Sequence, residues 1–452
     1  MRYSILLVLG VVLQLLLHAN QLLGQPPSHA AGQTTAFVGA RVIPIEGSEI
    51  AKGTILVSGT KIVAVGAVDE VDVPGDAQRV DCVGRVIMPG LICTHSHIGG
   101  SFAADGSHPV QPGVRVLDSI NVHDSGFKRA LAGGLTTLNI MPGSGHLSSG
   151  QTIYVKLRYH GDSPSTVDDI LIRDASGNYL GGLKMANGTN SMRDAPFPGT
   201  RGKSAFLMRQ EFIKAREYHD KIVNAAGDAK KMPARDLHLE SLVEVLQGQR
   251  VVHHHTHRHD DIMTVIRLSR EFQFRVVLHH VSEGWKVADE IAAANVPCSM
   301  IMIDSPGGKL EARYLSMETG KILEQAGVRT AFHTDDPILD SRYFFRSAAL
   351  AVRAGMSRQA ALEGLTLAGA QMLDLQDRVG SIKPGKDADL VILDADPLSV
   401  YAKVLETWVE GQRTFDRSDA QDRLYAEGGY GASHDRQSYY CCFDQANQGG
   451  SQ

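Results

Sequence analysis

The sequence predicts a (β/α)8, TIM-like barrel with a small β-sandwich domain built from both flanks of the barrel. Three observations carry that prediction. Between Pro89 and Asp377, short apolar runs alternate with amphipathic stretches of helical period, the pattern of a parallel sheet whose helices cross back over it. The runs number eight, which favours a barrel over a doubly wound sheet. On either side lie β-branched segments broken by Gly, Asp and Pro. They are far apart in sequence yet alike in type, so the economical arrangement pairs them and inserts the barrel between.

In chain order, "MRYSILLVLGVVLQLLLHANQLLGQ" opens with Arg2 and an almost unbroken apolar run from Ile5 to Leu17, followed by Ala19 and Gly24. Such a run is too short to span a bilayer comfortably but suits the core of a signal peptide. Residues 1–24 are therefore expected to be cleaved on export, to a periplasm or to the medium, and an uncleaved N-terminal anchor is the alternative. Residues 35–88, with "AFVGARVIPI", "GTILVSGTKIVAVG" and "QRVDCVGRVIMPG", form the first part of the sandwich. Residues 89–381 form the barrel. Its strand candidates are "GLICTHSH", "TTLNIMP", "SGQTIYVKLR", "GGLKMA", "RVVHHHTH", "RVVLHHV", "VPCSMI" and "RTAFHTDD", and "SAFLMRQEFIKAREYHDKI" and "IMTVIRLSREFQF" read as helices. Residues 382–416, with most of "GSIKPGKDADLVILDADP" and "VLETWVEGQRTF", complete the sandwich, and the Gly-, Asp-, Gln- and Ser-rich residues 417–452 are expected to be disordered.

The 452 residues are 43% hydrophobic and 21% charged, with a net charge of −5. That balance gives no argument for nucleic acid or an anionic membrane surface as partner. A small-molecule substrate is expected instead, with no transmembrane span in the mature chain, and a homo-oligomer is compatible with the sequence. Five cysteines and no CxxC do not make a disulfide framework in a chain this long. Cys93 and Cys298 lie in apolar runs and are expected to be buried, whereas Cys441 and Cys442 sit in the polar tail.

A barrel puts its chemistry at the C-terminal ends of its strands, and strand residues i and i+2 share a face. "THSH" offers His95 and His97 in that spacing, two imidazoles suited to zinc or a similar divalent ion. "VVHHHTHRHDD" crowds five histidines into positions 253–259. By parity His253, His255 and His257 share one face, and only His257 reaches the mouth. His255 sits one layer deeper as a supporting partner, His259 falls where a helix begins, and His253 and His254 read as packing or solvated residues. The next strand ends in His279 and His280, of which one is expected to face inward. The last ends in His333, Asp335 and Asp336, and a carboxylate there can bind a metal and accept a proton from water. Lys184 ends the fourth strand; read alone, it is a surface lysine or one that pairs with a substrate carboxylate.

These residues resemble the amidohydrolase superfamily of metal-dependent hydrolases over about Thr35 to Phe415. "PGLICTHSH" is similar to the first-strand motif PGxIDxHxH, with Cys93 where Asp is usual. "GSIKPGKDADLVILDADP" resembles the segment that closes the family's sandwich, and "HTDD" its last-strand Asp motif. Within the superfamily the chain looks most like the imidazolonepropionase-related, prolidase-like branch. There "LKMANGTNSMR" stands against KMAxGENPKR, with departures at Thr189, Ser191 and Met192, and "HRHDDIMTVIRLSREF" also resembles that branch. The resemblance implies that His280 rather than His279, and Asp335 rather than Asp336, are ligands. It implies a metal set of His95, His97, Lys184, His257, His280 and Asp335, with Asp335 and His280 in the chemistry and His255 and His333 supporting. It further implies that Lys184 takes up carbon dioxide as a carbamate bridging two ions, zinc by donor type. A lysine beside cations deprotonates readily.

The expected reaction is hydrolysis of a non-backbone C–N bond, in an amide, a cyclic amide or a small dipeptide, by metal-activated water. Asn187, Asn190, Arg193 and Arg201, after the fourth strand, are candidate substrate contacts. Two rivals stand beside this reading. One is a mononuclear, imidazolonepropionase-like ring deaminase, against which Asp260 counts, since such enzymes usually carry Glu three residues after the fifth-strand His. The other is a non-catalytic metal-binding homologue, which the intact ligand set disfavours.

Overall fold

A computed structural model describes residues 34–101, 104–159, 164–302 and 309–428. The expected signal peptide and the cysteines Cys441 and Cys442 lie outside the described residues. Five strands come first: β1 Thr34–Val42, β2 Ile50–Ser58, β3 Lys61–Ala67, β4 Gln78–Asp81 and β5 Val86–Pro89. Nine follow: β6 Leu91–Ser96, β7 Leu135–Ile140, β8 Ser148–Gln151, β9 Ile153–Lys156, β10 Leu183–Ala186, β11 Val252–Thr256, β12 Val276–His280, β13 Cys298–Met300 and β14 Thr330–Phe332. The last three are β15 Leu390–Leu393, β16 Val404–Val409 and β17 Gln412–Asp416.

The two flanks do pair. Strands β17-β16-β15-β5-β1-β2-β3, with β4 beside β1, make one eight-stranded sheet. It has its own core of Phe37, Ile55, Ile62, Ile87, Leu390, Ile392 and Trp408. The middle of the chain makes a six-stranded sheet in the order β14-β13-β12-β11-β10-β8 and a three-stranded one, β6-β7-β9. Pairing from β10 through β14 is parallel, as is β6 with β7. Backbone bonds tie the end of β14 to β6, and the β8–β10 ladder runs on to Thr152, the residue that leads into β9. Asp335 N donates to His95 O at 3.0 Å and His97 N to Asp336 O at 3.1 Å on one side, and Thr152 N donates to Gly182 O at 2.9 Å on the other.

One expected strand is different. "SGQTIYVKLR" splits into β8 and β9, and both pair antiparallel, β8 with β10 and β9 with β7. A break at Thr152 lets the two halves of the run serve different partners. The tail also departs from expectation. Residues 420–427 form a helix whose N-cap, Asp419, accepts bonds from Gln421 N and Asp422 N, so order persists past 417.

Both predicted helices form. Arg201–Ala225 starts at Thr200, whose hydroxyl accepts from Lys203 N, and buries Met208, Phe212 and Ala215. His259–Phe272 begins two residues past His257, with Asp260 and Asp261 in its first turn, and buries Ile262, Val265, Ile266 and Phe272. Acidic residues favour that end of a helix. Phe212 stacks on Phe272 and Phe274 at 5.1 and 5.0 Å, fixing one helix on the other.

A buried ion network ties the flanking sheet to β9. Lys156 Nζ lies against Asp387 Oδ2, 3.1 Å from Asp389 Oδ2 and 3.3 Å from Glu410 Oε1. Burial alone would lower the lysine's pKa, but the three carboxylates outweigh it and hold the pKa above its usual value. Lys156→Ala strands these acids without their cation, so it is expected to cost about 3–5 kcal/mol. A shift of the urea midpoint too small for that would show that the network carries little of the join.

Candidate metal centre

The first strand end behaves as parity requires. His95 and His97 turn to one side, with their Nε2 atoms 3.2 Å apart. Asp335 Oδ1 stands 3.1 Å from His95 Nε2 and 3.0 Å from His97 Nε2. Donors around a tetrahedral zinc with 2.0–2.1 Å bonds stand about 3.3 Å apart, so these three atoms can hold one ion. His97 Nδ1 pairs with Met141 O at 2.7 Å, the kind of outer contact that fixes a ligand ring. Lys184 is fully buried, with Nζ 3.0 Å from His95 Nε2 and 3.2 Å from Met141 Sδ.

Cys93 does not support the His95 ring. Its thiol lies 3.1 Å from the His95 carbonyl, and its sulfur accepts from Thr334 N at 3.3 Å. His95 Nδ1 is buried without a hydrogen-bond partner. Cys93 and Cys298 are both buried free thiols, as their apolar flanks require.

A second group forms from His255, His257 and His280, whose rings lie 4.1–4.9 Å apart. It too can hold an ion. His257 lies just past β11, and its Nδ1 meets Ser282 Oγ at 2.7 Å. His255, expected one layer deeper as support, instead belongs to the group itself. His280 Nε2 is buried and has no hydrogen-bond partner.

The expectation that only one of His279 and His280 can turn inward fails. Both rings lie 5.0 Å from the His95 ring. Alternation presumes extended backbone, but His280 has φ +72° and Val281 φ +44°. That left-handed turn brings His280 to the same side as His279. Asp335 is also left-handed, at φ +51°. Such backbone is unfavourable for residues with a side chain and persists where surroundings enforce it, often at functional sites. His279 joins His95 and His333 in a third group of ligand atoms within reach of one another.

The remaining histidines have distinct places. His333 stands behind His280, Nε2 to Nδ1 at 3.4 Å, and its Nδ1 meets Ser299 Oγ at 2.8 Å. His253 is buried between Tyr154 OH and His279 Nε2, each at 3.0 Å. His254 lines a small cavity with Ser204, Met208, Thr264 and Leu268 on the helix side. Solvation is therefore excluded for both, and packing describes them. His259 opens its helix and meets Glu283 Oε2 at 2.7 Å.

Burial sets the electrostatics. It pushes His95, His255, His257 and His279 well below the ordinary imidazole value, helped by Lys184 or Lys309 and neighbouring rings, and it lowers His280 as far, with neighbouring rings helping and Asp335 opposing. His253, His254 and His333 are pushed down to about 3, mainly by burial. Burial would raise Asp335, but contact with His97 and the nearby His280 and His333 outweigh it and hold Asp335 below the usual carboxylate range. Neutral imidazoles around an ionised carboxylate are the protonation states that ligate a cation.

Of the expected substrate contacts, Asn187 and Asn190 each leave one buried amide atom without a partner, Oδ1 and Nδ2 respectively. Arg193 donates to Gly145 O at 2.9 Å and stacks 3.6 Å from the Phe197 ring centre. Arg201 is held by Asp261 at 2.9 Å and by Glu311, so its fork is committed within the protein. Asp260, where the deaminase reading looks for Glu, is clasped by Arg258 at 3.0 and 2.9 Å. Sequence reasoning missed Lys309, whose Nζ lies 3.0 Å from His255 Nε2 and 2.8 Å from His257 Nε2. It comes from a loop with no strand period, and no local pattern marks it.

The model of the Amidohydrolase family matches residues 237–415. A crystal structure of an amidohydrolase from Thermotoga maritima MSB8 is 34% identical, covering 85% of this chain and all (100%) of that one, with a TM-score of 0.78. The amidohydrolase tasK of Hapsidospora irregularis is 28% identical over 79% of this chain, which spans 40% of that protein's length. A prolidase solved with N-methylphosphonate-L-proline is 18% identical, covers 84% of this chain and 99% of its own, and has a TM-score of 0.54, a likeness of fold alone.

Proposed function

This chain belongs to the amidohydrolase superfamily, and from that premise we propose that it cleaves a non-backbone C–N bond in an amide, a cyclic amide or a small dipeptide. The observation that carries this reading is the convergence of His95 Nε2, His97 Nε2 and Asp335 Oδ1 within 3.0–3.2 Å. The residues fit a divalent ion, zinc by donor type. When bound, such an ion polarises a carbonyl and lowers the pKa of water. His95, His97 and Asp335 would hold one such ion, and His257 and His280, with His255 beside them, a second. Lys184 as a carbamate would join the two. Asp335, held ionised, takes the proton of the attacking water and returns it to the leaving nitrogen. His280 stands beside it in that chemistry. In this reading Asn187, Asn190 and Arg193 orient the substrate, and Arg201 acts on it through the loop it anchors.

The two joined sheets support a (β/α)8 barrel over residues 89–381, with the flanking sheet as the sandwich of residues 35–88 and 382–416. The test of function is direct. Dialysis against a chelator should abolish hydrolysis, and added zinc should restore it. The panel should hold dipeptides, N-acyl amino acids and hydantoin-like rings, with Xaa-Pro dipeptides included because of the prolidase neighbour. A protein that binds no metal and hydrolyses nothing on that panel with zinc present would overturn the reading.

Among the described residues, no helix is long and apolar enough to cross a membrane. We further propose export, supported by Arg2 and the apolar Ile5–Leu17 run. N-terminal sequencing of protein from a secreting host should begin after Ala19 or near Gln25. An intact Met1 on cytoplasmic protein would refute it.

A further inference from the structure

We propose that Lys309 is a built-in occupant of the second histidine group: its ammonium holds the position a second divalent ion must take, so that ion binds only by displacing the lysine. The inference rests on the reading above that His255, His257 and His280 hold an ion.

The geometry is specific. Lys309 Nζ reaches His255 Nε2 at 3.0 Å and His257 Nε2 at 2.8 Å. An ammonium carries three donors and no acceptor, so it binds the imidazole lone pairs that a metal would use. An ion bonded to those nitrogens at 2.0–2.1 Å would overlap the ammonium. The same lone pairs cannot serve both.

The delivery of the lysine is built in. Two residues on, Glu311 is buried and accepts from Thr189 N at 2.8 Å. It also binds Arg201, which Asp261 holds from the helix His259–Phe272. The loop after β10 comes so close that a Cβ on Gly188, at φ +70°, would meet Glu311 Oε2 at 2.7 Å. The turn Leu310–Ala312 is thus tied down beside the group, with Lys309 at its start. Charge works in the same direction. Asp335 supplies a carboxylate to the first group, whereas the second is made of three histidines. A dication there would face a displaced ammonium nearby. Loading is therefore sequential, one ion tightly and a second only at higher supply.

The test is titration of metal-free, full-length protein with zinc and with cobalt, read by equilibrium dialysis and by cobalt absorption. The parent should bind one ion tightly and a second weakly. Lys309→Met keeps the stem and removes the charge. Two charge-assisted hydrogen bonds no longer compete, so its second ion should bind roughly tenfold to a hundredfold tighter. Glu311→Gln, which loosens the anchor but keeps the lysine, should shift the same step by less, and it gives a second reading if Lys309→Met folds poorly. Unchanged second-ion affinity in Lys309→Met overturns the inference and leaves the ion-binding reading in place. Loss of an ion in that variant overturns it differently, by making Lys309 a ligand. No second ion in parent or variant at saturating zinc overturns the underlying reading, and the inference with it.

Discussion

His257→Ala is expected to lose the ion of its own group and hydrolysis together, while His254→Ala, three residues earlier, keeps both. Removing residues that merely support a metal ligand costs about tenfold to a hundredfold, so removing the ligand should cost at least that in rate. His257 sits in the second histidine group, its ring fixed by Ser282. His254 faces the helices and lines a cavity with Met208 and Leu268. Its loss should appear as stability, about 1–3 kcal/mol by denaturant unfolding, with metal content unchanged. The measurements are elemental analysis and turnover on both proteins. Equal loss of metal in the two variants would sink the assignment of opposite faces within β11.

That assignment shows what the sequence made legible and where it stopped. Wherever backbone stays extended, parity reads the side chains correctly. His95 and His97 share a side, and His253 and His255 face the site while His254 faces the helices. Parity fails at His280, where the backbone turns to positive φ. No residue type there announces it, since glycine is the usual signal for such backbone. The resemblance takes His280 over His279, yet His279 too lies against His95. Pairing of the two flanks was legible because β-rich blocks need partners. The antiparallel β8 and β9 were not, because one apolar run hid a break between Gln151 and Ile153. Lys309 was invisible for a third reason. Its position depends on Glu311 meeting Arg201 and Thr189, contacts between segments more than a hundred residues apart.

Lys184→Ala decides between one ion and two. The side chain is fully buried on β10, between the apolar Leu183 and Met185, and Nζ lies 3.0 Å from His95 Nε2. An ammonium cannot coordinate a cation, whereas a carbamate on the same nitrogen offers two oxygens. Two ions roughly 3.5–4 Å apart can share such a group. If Lys184 is that bridge, the alanine variant should fall from two ions toward one. The ion kept should be the one at His95, His97 and Asp335, because that triad does not need the lysine. Short carboxylic acids should then restore part of the activity by entering the space left by the side chain. Lys184→Met serves as the shape control, filling that space, so it should lose the same ion but resist rescue. The mononuclear reading expects something else: one ion in parent and variant alike, with the loss seen mainly as weaker substrate binding. Metal counting on parent and variants, with the intact mass of the parent under non-denaturing conditions, separates the two. A parent with a single ion even at saturating zinc and an unmodified Lys184 would remove the bridge and reopen the ring-deaminase alternative. The weak second ion inferred from Lys309 makes the zinc concentration part of the design. The count must be taken at saturating metal, where a displaced Lys309 no longer hides the second site.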